Sequence, residues 1–230
     1  MIGVTPPRYP LKTRRLLLQP FGPGDFEAIY AIERRADVMR YLYWEPRTRD
    51  EAHASLDRRL AMTGIDDHAD ALRLAILLAG TDTLIGDFSL RMRNREHRQG
   101  EIGFMFHPDH HGQGYATEAG RAVLELGFGS FGLHRIAGSC DARNTASARL
   151  MERLGMRLEG SLRETELVKG VWCDELIYAI LADEWLGGVG RDGAGRDGAP
   201  LQGPPLSSPS RRPSCYRPRP GPRPRPGGAG

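Results

Sequence analysis

The segment from Glu101 to Ala119, EIGFMFHPDHHGQGYATEA, constrains the fold more than any other stretch of this chain. An apolar run, Ile102 to Phe106, breaks at Pro108 into a loop holding Gly112 and Gly114, and the loop opens directly into a helical pattern. Glycines at such a place let successive backbone N–H groups face one point, and the helix N-terminus adds partial positive charge. A phosphate or pyrophosphate can then be held without a lysine. The same glycines would also serve a plain strand-to-helix turn for steric reasons, and G-x-G alone does not separate the two readings. A P-loop is excluded because no G-K-[ST] follows. A Rossmann fingerprint is disfavoured because G-x-G-x-x-G fails at Thr117 and the strand has antiparallel neighbours before it.

Those neighbours are visible in the pattern. Leu11 to Phe21 reads as a first strand ended by Pro20. Helical spacing follows in Phe26, Ile29, Tyr30 and Ile32, with Pro23 and Asp25 at the start, and again from Arg49 to Met62 behind Thr48 as a cap. Leu72 to Leu78, Leu84 to Met92 and Ile102 to Phe106 are three short β-type runs. Beyond Pro108 the pattern alternates: a helix over Thr117 to Phe128, a strand over Leu133 to Cys140, a helix over Thr145 to Leu154 stopped by Gly155, then strands over Met156 to Lys169 and Val171 to Leu181. The expectation is an α+β domain, a mixed three-layer α/β/α arrangement. Its sheet is mostly antiparallel, of about seven strands, with one parallel crossover.

Composition matters chiefly in dividing the chain. From Gly187 to Gly230 there are 11 Gly, 10 Pro and eight Arg against two Asp. A net +3 for the whole and +6 for this tail leave residues 1–186 at −3, so the basicity that would suggest nucleic acid belongs to a segment too poor in apolar residues to fold alone. We expect a domain over 1–186 and a disordered Gly/Pro/Arg-rich tail over 187–230, whose RPRPGPRPRP run has no aromatic interleaving for base stacking beyond Tyr216. Nucleic acid is therefore disfavoured as a partner. Cys140, Cys173 and Cys215 are odd in number and widely spaced, which argues for a reducing compartment over a disulfide framework. Neither a signal peptide nor a membrane span is read, and a cytoplasmic location is expected.

Further along, NTASARLMERLG from Asn144 to Gly155, then Leu158-Glu159-Gly160 and Asp174, complete an ordered set. Together with the spacing from Leu18 to Asp25, the E-I-G-F strand, the G-x-G-Y-A-T-E-A loop and helix, and a closing D-E-x-x-Y strand, these residues resemble the GNAT superfamily of N-acetyltransferases. The similarity is greatest to its RimJ/RimL-like branch and covers roughly Leu11 to Leu186.

The resemblance implies a GNAT fold with a central splayed pair of strands and acetyl-CoA as co-substrate. The acetyl-CoA would lie between the strand of Phe104, Met105 and Phe106 and the strand of Ile136 to Cys140. Its pyrophosphate would sit on the backbone of His111, Gly112, Gln113, Gly114, Tyr115, Ala116 and Thr117, with His111 where the family usually has Gln or Arg. It also implies direct attack by a primary amine in a ternary complex, with a backbone N–H near Met105 as oxyanion donor. Met151 stands where many members carry a tyrosine acid, so Ser147 becomes the candidate acid. Asn144 is read either as a helix cap or as a contact to the pantetheine amide. Glu101 is the leading candidate base, acting through water, and Asp87 the alternative. Tyr41, Tyr43 and Trp44 would line the acceptor side. Cys140 reads as a small buried residue rather than a nucleophile. His107, His110 and His111 share one loop without a carboxylate set, so no metal is expected. The acceptor is a small-molecule or peptide amine, and a homodimer is left open. Succinyl or another acyl group, and a non-catalytic CoA-sensing module, are the alternative readings.

Overall fold

A computed structural model describes residues 7–66 and 68–188; the Gly/Pro/Arg-rich stretch, beyond its first two residues, lies outside the described residues. Leu16, Leu17 and Leu18 do form a strand, but the expected first strand is two. β1 (Leu11–Lys12) and β2 (Leu16–Pro20) are separated by a turn in which Thr13 donates its N–H to the Leu16 carbonyl at 3.0 Å. The break has a cause: the Thr13 hydroxyl and the Arg15 N–H are both engaged by Glu118, at 2.6 and 2.8 Å, and not by a neighbouring strand.

The helical arm that follows is α1 (Phe26–Glu33), α2 (Ala36–Met39) and α3 (Arg49–Leu60). Thr48 caps α3 in a reciprocal box, its own N–H donating to Glu51 Oε2 at 2.8 Å. Then come β3 (Thr63–Ile65), β4 (Asp70–Leu78), β5 (Leu84–Asn94) and β6 (Gln99–Phe106), followed by α4 (Tyr115–Glu125) and a π-helical turn over Leu126–Ser130. The chain closes with β7 (Arg135–Asp141), α5 (Thr145–Arg153), β8 (Arg157–Val168), β9 (Val171–Leu181) and α6 (Ala182–Leu186). The helix expected from Thr117 begins two residues earlier because Gly114, at φ +78°, is its N-cap. α6, unmarked by periodicity, is held by the buried Trp185, whose Nε1 donates to Glu125 Oε2 at 3.0 Å.

The sheet runs β1-β2-β4-β5-β6-β7-β9-β8, with β3 paired to β4 off this path. Among the described residues nine strands stand against the seven expected; the additional ones, β1 and β3, are too short to produce an alternating pattern. Every pairing is antiparallel except β6 with β7, joined by the α4 crossover. Helices cover both faces. Phe88 and Leu90 of β5 and Ile102 and Phe106 of β6 join α4 and α5 in one apolar cluster, whereas Ala75 and Leu84 pack with Phe26, Ile29, Ile32 and Leu56 of the α1–α3 arm in another. This double cover is why β5 is buried continuously from Leu84 to Leu90.

The parallel pairing is brief. It runs Gln99↔Arg135, Gly100↔Ile136 and Glu101↔Ala137 and then stops, although β6 keeps its partner β5 as far as Gly86↔Phe106 and β7 keeps β9 as far as Asp141↔Glu175. Each strand follows its outer neighbour, and the sheet opens in its middle.

Candidate active site

The opening is one wall of a cleft of about 1770 Å³, lined by Phe104, Met105 and Phe106 of β6, Ser139 and Cys140 of β7, and the glycine loop before α4. The bond from the His107 N–H to the Ile85 carbonyl, 2.8 Å, fixes the phase of the β5–β6 ladder. Antiparallel pairing alternates, so Met105 and Gly103 turn their backbone groups to β5, while Ile102, Phe104 and Phe106 turn theirs to the opening. The N–H of Met105 itself is used against Asp87. The Phe104 and Phe106 N–H groups face the cleft instead.

At the loop, Gly112 and Gly114 both have positive φ, +74° and +78°, which L side chains rarely adopt. Gly114 offers no side chain to cap α4, so the N–H groups of Tyr115, Ala116 and Thr117 have no intrahelical acceptor and point out of the helix start. His111 turns its Nε2 to the Phe106 carbonyl at 3.2 Å. Gln113 alone among the expected contacts does not line the cleft; its side-chain amide folds back to the Asp109 carbonyl at 3.4 Å.

Arginine supplies the charge here, and sequence reading missed it. Arg15 donates through Nη1 to the Gln113 carbonyl at 2.9 Å, pairs with Glu118 at 2.7 Å and stacks over the Tyr115 ring at 4.5 Å. Arg153 donates to the Thr117 hydroxyl at 3.2 Å, and Arg14, Arg121 and Arg149 line the same side. The available signal was the ratio of 30 arginines to two lysines, which reads equally as a coding habit.

On α5, Asn144 is the N-cap, accepting the Ser147 N–H on Oδ1 at 3.1 Å. Ser147 is half-buried and faces the cleft. Met151 is fully buried, its sulfur packed against the bare backbone of Gly138, where an added Cβ would lie 3.0 Å away. Burial, with Asp141 and Glu175 nearby, pushes the Cys140 thiol up to about 11, the reverse of an activated nucleophile.

The two candidate bases are both paired. Glu101 lies at the closed end of the splay with Arg93 Nε 2.6 Å from its carboxylate. Asp87 is fully buried behind the cleft wall, gripped by Arg73 at 2.8 Å and by Arg59 at 3.1 Å. Burial pushes Asp87 up, but the two guanidiniums overrule it and hold the carboxyl below its ordinary range. Glu166 and Glu175, on the far wall, have no arginine partner among the described residues. Burial and the charge of Glu175 raise Glu166. Tyr41, Tyr43 and Trp44 line the rim; the Trp44 ring lies 4.9 Å beneath Arg47. Among the described residues no group of three His, Cys, Asp or Glu is arranged to hold a metal ion, and no helix is long and apolar enough to cross a membrane.

The acetyltransferase (GNAT) domain family matches residues 15–157. The uncharacterized N-acetyltransferase YnaD of Bacillus subtilis is 35% identical over 175 residues, 76% of this chain and 98% of that protein. A crystal structure of a GNAT-family acetyltransferase from Bacillus anthracis superposes with a TM-score of 0.67 at 34% identity, covering 75% of this chain and 98% of that one. A spermidine N-acetyltransferase from Vibrio cholerae, solved in complex with CoA and spermine, does so with a TM-score of 0.65 at 25% identity, covering 76% and 99%.

Proposed function

The chain belongs to the GNAT family of acetyltransferases, and from that premise we propose that it transfers acetyl from acetyl-CoA to a primary amine by direct attack. One observation carries the reading: a single cleft holds both an uncapped helix start and a strand edge whose N–H groups have no strand partner among the described residues.

Acetyl-CoA supplies the activated acyl group and a thiolate leaving group. The N–H groups of Gly112 to Thr117 and the guanidinium of Arg15 hold the pyrophosphate, with Arg153 extending the positive side. The pantetheine arm lies along the open edge of β6. The N–H of Phe104 or Phe106 donates to the carbonyl oxygen as charge develops there, fixed in place beforehand by the β5–β6 ladder. Ser147 delivers a proton to the departing sulfur. Glu166 takes the proton from the acceptor ammonium: its raised affinity for protons suits a base, whereas Glu101 and Asp87 are committed to arginines. Residues 1–186 constitute the catalytic domain, and the stretch from 187 is an accessory segment.

Calorimetry of acetyl-CoA with the full chain tests the premise of the site, and thiol release with an amine panel tests the reaction. No heat at millimolar acetyl-CoA would sink both. A chain that bound acetyl-CoA and released no thiol with any amine would be the CoA-sensing module instead.

A further inference from the structure

The cleft wall that faces α1 and α3 is built from arginine. Arg47, Arg58, Arg59, Arg73, Arg91 and Arg93 line it, and the carboxylates among them are already bridged. Glu33 lies 3.3 Å from Arg47 and 2.8 Å from Arg59; Asp87 holds Arg59 and Arg73; Glu101 holds Arg93. Six guanidiniums against three carboxylates leave this wall with surplus positive charge. Arg58 and Arg91 are exposed, and neither has a carboxylate partner among the described residues.

Arg47 lies beside them and is held to Glu33. Its side chain is 13% exposed, and its Nε, although within ion-pair distance of Glu33 Oε2, is not aligned for a hydrogen bond with it; both atoms are buried without a hydrogen-bond partner. Burial pulls this guanidinium's pKa down; Glu33 opposes that shift, and the neighbouring charges of Arg58 and Arg59 add to it. Arg58 and Arg91, the exposed guanidiniums of this wall without a carboxylate partner among the described residues, gain from an arriving anion, and the surplus charge repels an arriving ammonium. The wall also lies beside the reacting strand: Asp87 is the direct partner of Met105, and Ser89 of Gly103, so Arg59 and Arg73 flank the residues whose neighbours, Phe104 and Phe106, face the opening. The opposite wall carries Glu166, Asp174 and Glu175, none of which has an arginine partner among the described residues, whereas Asp141 beside them is held by Arg143. The cleft is therefore bipolar, with an acidic side for an ammonium and an arginine side for an anion.

We propose that the acceptor is an amine bearing an anionic group, a carboxylate or a phosphate, which docks on Arg47, Arg58 and Arg91 while its amino group is presented to the acetyl donor. The inference rests on the acyl-transfer reading above and narrows its substrate class. A polyamine would have to set a second ammonium against this wall.

The experiment uses the purified full chain, acetyl-CoA and thiol detection with matched amines: an α-amino acid and its carboxamide, ethanolamine phosphate and ethanolamine, and spermidine. The anionic member of at least one pair should have a kcat/KM about 10-fold to 100-fold above its neutral counterpart, the range expected for charge-assisted hydrogen bonds. Which pair shows the gap distinguishes carboxylate from phosphate. Arg58→Gln and Arg91→Gln, chosen because both side chains are exposed and can be lost without unfolding the protein, should bring that ratio towards one, mainly through KM. Neutral members or spermidine equalling the anionic ones, or a ratio unmoved in both variants, would overturn the inference and leave acyl transfer standing. Absence of thiol release with every amine would overturn both.

Discussion

Arg15 and Glu118 fasten the start of β2 to the first turn of α4: Nε of the guanidinium lies 2.7 Å from Oε2, and the main-chain N–H of Arg15 lies 2.8 Å from Oε1. Nη1 of the same side chain reaches the Gln113 carbonyl at 2.9 Å, so the guanidinium is set over the glycine loop before any anion arrives. Burial pushes the Glu118 carboxyl up, but the hydrogen bonds from Thr13 and Arg15 hold it below its ordinary range and keep it charged. Arg15→Gln should therefore weaken acetyl-CoA binding about 10-fold to 100-fold, the worth of one or two charge-assisted bonds. The Arg15 side chain is 40% exposed, so little stability should go with it. Calorimetry and a thermal melt separate the two effects; equal affinity in the variant would remove Arg15 from the phosphate site.

Gly114 tests the cradle itself. At φ +78° any side chain costs about 1–2 kcal/mol of backbone strain, and a built Cβ would lie 3.5 Å from Arg15 Nη2. Gly114→Glu adds a carboxylate where a pyrophosphate would rest, and binding should be abolished. Gly112→Ala is the control: its φ is also positive, at +74°, but its Cβ would meet nothing within 4 Å. It should show the strain in the melt while keeping measurable affinity. If Gly114→Glu binds acetyl-CoA as the parent does, the pyrophosphate lies elsewhere.

Asp87 illustrates what the sequence can and cannot reveal. An aspartate inside the apolar run Leu84 to Leu90 is visible at once as a polar exception, and a base on a cleft-lining strand was a reasonable expectation for it. Its partners, Arg73 and Arg59, lie 14 and 28 residues away, and nothing local says that they converge on it. The glycine loop, by contrast, was readable because turn chemistry and a helix start are local properties. Which residue of Phe104, Met105 and Phe106 frees its N–H was not readable, since the phase of the alternation is set by pairing with Ile85 across the sheet. Glu101 lines the cleft as its strand suggests, but its salt bridge with Arg93, on the neighbouring β5, is not legible locally.

The charge network around Asp87 yields a stability prediction. Its folded pKa is depressed, so its contribution to stability is complete above the unfolded value of about 3.9 and is lost as pH falls through the lower, folded value. Asp87→Asn takes from Arg73 its carboxylate partner among the described residues and leaves the buried Arg59 with Glu33 alone, and should cost about 3–5 kcal/mol at neutral pH. The variant's acid unfolding below about pH 4 should also be less steep than the parent's, since one depressed carboxylate no longer takes up a proton. Denaturant titrations from pH 2 to 7 measure both. A variant with the parent's midpoint at pH 7 would mean that the network contributes nothing.

Ser147 separates capping from catalysis. The cap of α5 is made by Asn144, which accepts the Ser147 N–H on its Oδ1; that bond uses the main chain of Ser147 and leaves its hydroxyl out of the cap. Asn144→Ala should thus cost about 1 kcal/mol of stability, whereas Ser147→Ala should leave the melting temperature nearly unchanged. If the hydroxyl protonates the departing sulfur, Ser147→Ala should lower kcat on the order of 10²-fold with little change in the KM for acetyl-CoA. Met151 cannot substitute, being an apolar side chain packed on Gly138. Ser147→Thr keeps a hydroxyl at the same place and should recover part of the rate, a result that a purely structural role would not produce. An unaltered kcat in Ser147→Ala would assign the proton to solvent and leave Ser147 as a residue of the first helical turn.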